Sequence, residues 1–401
     1  MNHHAASHAP HLFPQLTLTR AKTLLSRVRD IVWQDIPGDI LLQATAVSAD
    51  WCPPAQVSEL PLEPTRLGEA RGRRFAYVWY RLDLPEPAEA DCWLHWQHGG
   101  ESTAFIEGTA WAGFDRQHHR HRLPAEASCI WMAVMHMNDR DAPQACRLQR
   151  RNDLAWRCQL DLEVLIDRAT RTLENLRAPF GSGYEGSFSY RPPLDWLARA
   201  DRVLLGWLER GASAWEQGGL QALAAVLAEA LGALPADAVQ MQLVATAQAH
   251  LDPIFLWPEH VGHFKTVHTM ATAARLMEDY EDLHFLFSQP ALYEWAAAID
   301  PGLGERIDQR LREGRWECEG AAYVEFDSNL PCGEGLLRSL LIGQKITRER
   351  AGDPGRILWL PDTFGFNACL PQLMRLCGVD GFWTTKIHWN AITHFPYTSF
   401  R

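Results

Sequence analysis

The sequence predicts an α/β chain in which a β-sandwich domain and a helical connector precede a parallel β/α domain. Three observations predict it. Short alternating segments broken by turns fill residues 41–150, helical spacing dominates 151–236, and strand-like runs alternate regularly with helical patterns over 237–401. A helical segment over 1–40 completes four expected parts. A chain of 401 residues with 47% hydrophobic content exceeds what one core spans, so several domains are expected.

The first element is a helix over Gln15 to Gln34, with Leu16, Leu24, Leu25, Val28 and Ile31 apolar and Arg20, Lys22, Arg27 and Arg29 between them. The sandwich rests on segments such as Arg74 to Leu84 and Asp91 to Trp96, separated by Pro85-Glu86-Pro87, Gly99-Gly100 and Glu107-Gly108. Packing and support is its expected role. His118, His119 and His121 alternate with Arg116, Arg120 and Arg122, and interleaved cations oppose metal binding, so an exposed basic loop is expected there. The connector shows helical spacing through Trp196, Ala200, Val203, Leu204 and Trp207 and again through Leu220, Leu223, Val226 and Leu227. Pro179 to Gly183 and Arg191-Pro192-Pro193 interrupt it.

In the last part, strands are expected near 241–249, 283–287, 321–326, 356–360 and 380–386, with helices near 263–280, 290–312, 334–350 and 367–377. Such alternation makes a parallel sheet, open or closed into a barrel. The residues following the strands are His250 and Asp252, Ser288 and Gln289, Glu325 and Asp327, Asp362, and Lys386. All converge on the carboxyl end of the sheet, where such folds place their sites. In an extended loop His250 and Asp252 point the same way and can hold one hard or borderline cation. Each has a plainer reading: Asp252 or Asp362 as a helix cap, Lys386 as a solvated strand end. The convergence favours a site.

Composition narrows the function. Thirty-eight basic against forty-nine acidic residues give a formal charge of -11, which argues against nucleic-acid and anionic-membrane partners. No apolar run is long enough to span a bilayer, and the beginning Met1-Asn2-His3-His4-Ala5 lacks a secretory layout, so a cytoplasmic protein is expected. Nine cysteines without a Cys-x-x-Cys pair indicate neither a disulfide framework nor a cysteine zinc cluster. Most of the 17 tryptophans are expected to fill cores.

Beyond these readings, several blocks resemble the α-mannosidases of glycoside hydrolase family 38, particularly the cytosolic and vacuolar branch. They are Ala249-His250-Leu251-Asp252-Pro253, Phe287-Ser288-Gln289, Tyr323-Val324-Glu325-Phe326-Asp327-Ser328-Asn329, Leu358-Trp359-Leu360-Pro361-Asp362-Thr363-Phe364-Gly365, and Thr384-Thr385-Lys386-Ile387-His388-Trp389-Asn390. The resemblance implies that His250, Asp252 and Asp362 hold a divalent metal, zinc or else cobalt, and that Asp362 is the nucleophile of a retaining reaction on terminal α-mannosyl residues of mannose-containing oligosaccharides. It also implies that Phe255 and Phe364 line the sugar and that Lys386 lies beside the nucleophile. Gln248 stands where many members carry histidine, and Ile254-Phe255 replace the common Ala-Trp.

The family's catalytic barrel has seven strands and five are counted here, so an incomplete barrel is expected, with the general acid and the remaining ligand lying beyond Arg401. A truncated chain, inactive alone, follows as an expectation, with a complementing C-terminal fragment or a second copy of the chain as partner. Two rivals stand beside this reading. A metal-dependent carbohydrate deacetylase also uses a His-x-Asp pair, but with zinc activating water. A noncatalytic carbohydrate-binding or assembly protein would need no acid.

Overall fold

The computed structural model describes residues 13–51, 54–85, 91–177, 194–233, 244–389, 392 and 395–396. Pro179 to Gly183, Arg191 to Pro193, the expected start of the β/α segment near 237, and Asn390 lie outside them. The described chain is a mixed α/β structure with several sheets, and it forms two compact units, each built from two separated segments.

One unit joins residues 1–36 to 149–241. Helix Pro14–Asp30 starts with proline at its first turn, where the missing N–H costs nothing. Its Leu18, Ala21, Leu24, Leu25 and Val28 share one core with Leu162, Leu165 and Ile166 of helix Asp153–Arg177 and with Leu204, Leu205, Leu208 and Leu223 of helix Leu194–Gly232. The last helix breaks at Gly219, whose φ of 64° only glycine adopts readily.

The other unit joins 37–148 to 242–401. Its largest sheet is antiparallel, in the order Glu63–Pro64, Leu41–Ala44, Tyr77–Asp83, Cys129–Met135, Glu101–Ile106, Thr109–Phe114. Strand Cys92–His98 pairs antiparallel with Arg120–Arg122 and lays Trp96 against the large sheet. The Trp96 indole N–H donates to Ser102 Oγ at 2.9 Å, and its ring stands 5.5 Å from that of Tyr80.

The His118 to His121 stretch departs from the exposed basic loop expected for it. His121 lies on a strand and is buried, its ring against Phe114 at 4.8 Å and its Nε2–H donating to the Gly113 carbonyl at 2.8 Å. His118 pairs with Asp115 at 3.1 Å. The alternation that reads as basic is a strand's, and it sends one histidine inward.

Strand Thr109–Phe114 ends the large sheet, and an edge strand carries unpaired backbone groups. Side chains of the neighbouring helices satisfy them here. Ala110 N–H donates to Asp300 Oδ2 at 2.5 Å, and the Ala110 carbonyl accepts from Arg306 at 2.5 Å. Gly113 N–H donates to Thr272 Oγ1 at 3.1 Å. A Cβ at Gly113 would lie 2.3 Å from that oxygen and 2.7 Å from the His268 ring, so glycine is what lets helix Glu259–Asp279 approach. Val261, Phe264, Val267, Met270, Ala271 and Ala274 of that helix share a core with Tyr77, Trp79, Phe105 and Met135 of the sheet.

Strands Ala247–Gln248, Phe285–Phe287 and Trp316–Cys318 pair in parallel, as do Ile357–Trp359 and Gly381–Trp383. Glu319 bridges the two groups, accepting from the N–H groups of Arg356 and Ile357 at 2.8 Å. Two expectations are corrected. The third strand is Trp316–Cys318, not 321–326, because Tyr323 N–H goes to Ser339 of helix Gly333–Ala351 and Glu325 N–H to the Gln289 side chain. The expected helix over 290–312 is two, Pro290–Ile299 and Pro301–Arg312. Pro301 ends the first, and Asp300 caps the second by accepting from Leu303 N–H at 2.9 Å.

Two outcomes follow from this packing. Gly113→Ala forces Thr272 and His268 apart and is expected to lower the unfolding free energy by about 1–3 kcal/mol, read from chemical denaturation midpoints. Burial pushes the His121 imidazole down to about 4 from its ordinary 6.5. The native state therefore binds fewer protons there than the unfolded chain, and stability held above the unfolded value is lost as pH falls from about 6.5 to about 4. Denaturation across that window is expected to show a shallower loss for His121→Gln than for the parent.

Candidate active site at the carboxyl ends of the parallel strands

Equal offsets from paired strand residues bring the site together. Trp359 and Trp383 are register partners, and their rings stack at 3.9 Å and 11°. Asp362 and Lys386 each follow three residues later, and Lys386 Nζ forms an ion pair with Asp362 Oδ1 at 2.9 Å. On the neighbouring pair, Gln248 and Leu286 are partners, and His250 and Ser288 each follow by two.

His250 is held from one side and open on the other. Its Nδ1–H donates to Glu325 Oε2 at 2.5 Å, and the Ser288 hydroxyl donates to Glu325 Oε1. On the open side Nε2 is buried without a hydrogen-bond partner, 3.5 Å from Asp252 Oδ1 and 3.7 Å from Asp362 Oδ2. The hydrogen bond to Glu325 raises the His250 pKa most; desolvation lowers it, and the charges of Glu325, Asp252 and Asp362 raise it further.

Gln289 ties the loops. Buried, with a positive φ of 67°, it donates through Nε2 to the Leu251 carbonyl at 2.7 Å and accepts from Glu325 N–H at 3.1 Å. The Asp362 loop is clipped to the next one. Thr363 Oγ1 donates to the Phe326 carbonyl at 3.1 Å, and Ser328 Oγ to the Gly365 carbonyl at 2.9 Å. Asp327, on the same loop as Glu325, accepts from the N–H groups of Asn329 and Leu330 and shapes that loop.

Of the residues expected from the sequence, His250, Asp252, Asp362 and Lys386 meet. Phe364 joins them through Lys386, whose Nζ lies 5.2 Å from its ring. Phe255 is exposed, and its ring contact is with Trp257 at 5.8 Å. Glu325, Ser288 and Gln289, which the sequence placed among the converging strand-end residues without a role, belong to the cluster, as does Trp389; Lys386 Nζ stands 4.0 Å from the Trp389 ring. Ser288 and Gln289 directly follow strand Phe285–Phe287, which was the available signal, whereas Glu325 lies on the loop beyond strand Trp316–Cys318.

A neutral imidazole nitrogen and two carboxylates are suitable donors for a divalent cation such as zinc. Ligands at about 2.0–2.2 Å on a tetrahedron stand about 3.3–3.6 Å apart, close to the separations at Nε2. Among the described residues, no three His, Cys, Asp or Glu side chains are already arranged to hold a metal ion. The donor types and the unpartnered Nε2 are what suit a divalent cation here.

Residues 240–401 match the model of the glycosyl hydrolases family 38 N-terminal domain. Alpha-mannosidase 2C1 of Homo sapiens is 38% identical over 161 residues, 40% of this chain and 16% of that protein. Alpha-mannosidase of Saccharomyces cerevisiae is 34% identical over 152 residues, 38% of this chain and 14% of that protein. The chain thus spans less than a fifth of these relatives. An alpha-mannosidase structure from Enterococcus faecalis V583 aligns at 23% identity and a TM-score of 0.32 over 35% of this chain and 16% of that one, too low a score to compare folds. Residues 240–401, where the strand-end residues gather in one place, thus resemble the glycosyl hydrolases family 38 N-terminal domain.

Proposed function

We propose that this chain carries the nucleophile and the sugar-anchoring half of a retaining α-mannosidase site. The observation that carries the reading is the junction of His250, Asp252, Asp362 and Lys386 around one orphaned imidazole nitrogen. Asp362 is the nucleophile. Its carboxylate is part-exposed at the strand ends, so a sugar can reach it, and Lys386 holds Oδ1 while Oδ2 faces the cluster. An oxygen of Asp362 attacks the anomeric carbon, the bond to the leaving group breaks with its electron pair, and water later releases the mannosyl group.

His250, Asp252 and Asp362 would hold the divalent metal, zinc or cobalt, which when bound supplies a Lewis acid for the sugar hydroxyls. Lys386 keeps Asp362 aimed. Phe364 and Trp389 offer apolar faces beside it, and Phe255 lies on the exposed approach. The parallel strands fit a β/α barrel, and the two antiparallel sheets a β-sandwich that braces it. Mannose-containing oligosaccharides are the proposed substrates. Free thiols at the described cysteines, and no described helix long and apolar enough to cross a membrane, support a cytoplasmic setting.

The test uses a leaving group that needs no acid. A 5-fluoro-mannosyl fluoride loses fluoride unaided by a proton, so the glycosyl group is expected to accumulate on Asp362 and to appear as a mass increment on its peptide. Asp362→Asn should take no label. Label on another carboxylate, or none on the parent protein, overturns the reading.

A further inference from the structure

We propose that Glu325, braced by Ser288, is a positioning residue that fixes the His250 imidazole with Nε2 turned toward Asp252 and Asp362. The inference rests on the metal-site reading above and deepens it. Glu325 is the most enclosed acid of the cluster, its side chain 5% exposed against 38% for Asp252 and 39% for Asp362. A carboxylate withdrawn from water is costly unless its oxygens are hydrogen-bonded. Both are: Oε2 accepts from His250 Nδ1–H and Oε1 from the Ser288 hydroxyl. Its basic neighbour is the His250 ring.

The arrangement selects a tautomer. An ionised carboxylate only accepts, so Nδ1 carries the proton, and Nε2 of the neutral ring keeps its lone pair. That is the form a metal needs, and an imidazole held this way is both oriented and more basic toward it. Ser288 is not a nucleophile here. Its hydroxyl is spent on the carboxylate, whereas an activated serine must give its proton to the imidazole. Gln289 sets the distance by accepting from Glu325 N–H while donating to the carbonyl of Leu251, the residue after His250.

Cobalt titration of the purified protein tests this, read by the visible ligand-field spectrum of the bound ion. Glu325→Ala is expected to weaken Co2+ binding about 10- to 100-fold and to alter the spectrum, because the ring is free to turn. Glu325→Gln keeps an acceptor for Nδ1–H and is expected to retain most of the affinity. Ser288→Ala, which leaves the carboxylate in place, should fall between the parent and Glu325→Ala. His250→Ala separates the two ideas. If the parent binds no cobalt, or binds it equally after His250→Ala, the metal-site reading falls and this inference with it. If binding needs His250 but survives Glu325→Ala with affinity and spectrum unchanged, the positioning role alone is overturned. Should Glu325→Ala not fold, the Glu325→Gln and Ser288→Ala pair decides: cobalt spectra and affinities identical to the parent in both reject it.

Discussion

The site depends on how the edge of an antiparallel sheet is sealed. Strand Thr109–Phe114 could present its backbone to any passing strand, but Asp300, Arg306, Thr272 and His121 occupy the groups of Ala110 and Gly113. Two of those side chains come from the Asp300-Pro301 helix start and its first turns, and one from helix Glu259–Asp279. The seal therefore does more than protect an edge. It locks the helices of the parallel segment to the sheet at fixed points, and the apolar contacts of Phe264 and Val267 with Tyr77 and Trp79 fill the space between.

That lock reaches the chemistry through one close approach. Gly262, in the first turn of the sealed helix, lies so near the loop that a Cβ there would stand 1.9 Å from the Pro253 carbonyl oxygen. Pro253 follows Asp252 directly. The loop bearing His250 and Asp252 is thus backed by a helix that the sheet holds, while the Asp362 and Lys386 loops are held by the stacked Trp359 and Trp383. Rigid elements place the side chains, and the loops only carry them.

Much of this was legible in the sequence, for identifiable reasons. His250, Asp252, Asp362 and Lys386 follow apolar runs, and a parallel sheet must deliver whatever follows its strands to one end. The third strand was read too late because Tyr323-Val324 has strand propensity while Trp316-Glu317-Cys318 is only one short turn of pattern. Hydrogen bonds to Ser339 and Gln289 overrode the propensity. Glu325 stood among the strand-end residues, but nothing in its neighbours says that His250, seventy-five positions earlier, is its partner. His121 was misread for the opposite reason: its charged neighbours on both sides describe the outward face of the strand and are silent about the inward one.

The cluster's charges explain why one nitrogen is left open. Asp252, Glu325 and Asp362 bring three carboxylates to a small volume, and Lys386 neutralises one of them. A second cation offsets the remainder most directly at the point both exposed carboxylates face, which is His250 Nε2. A proton taken up there is one answer; the His250 pKa is raised first by the hydrogen bond to Glu325, with the charges of Glu325, Asp252 and Asp362 adding to it. A divalent cation is the other, and the two exclude each other because a metal needs the lone pair that the proton occupies. Glu325 favours both by stabilising positive charge on the ring, but it fixes Nδ1 as the donor in either case. The competition is therefore confined to Nε2, the nitrogen turned toward Asp362, so the ion that wins it also sets the field around the proposed nucleophile.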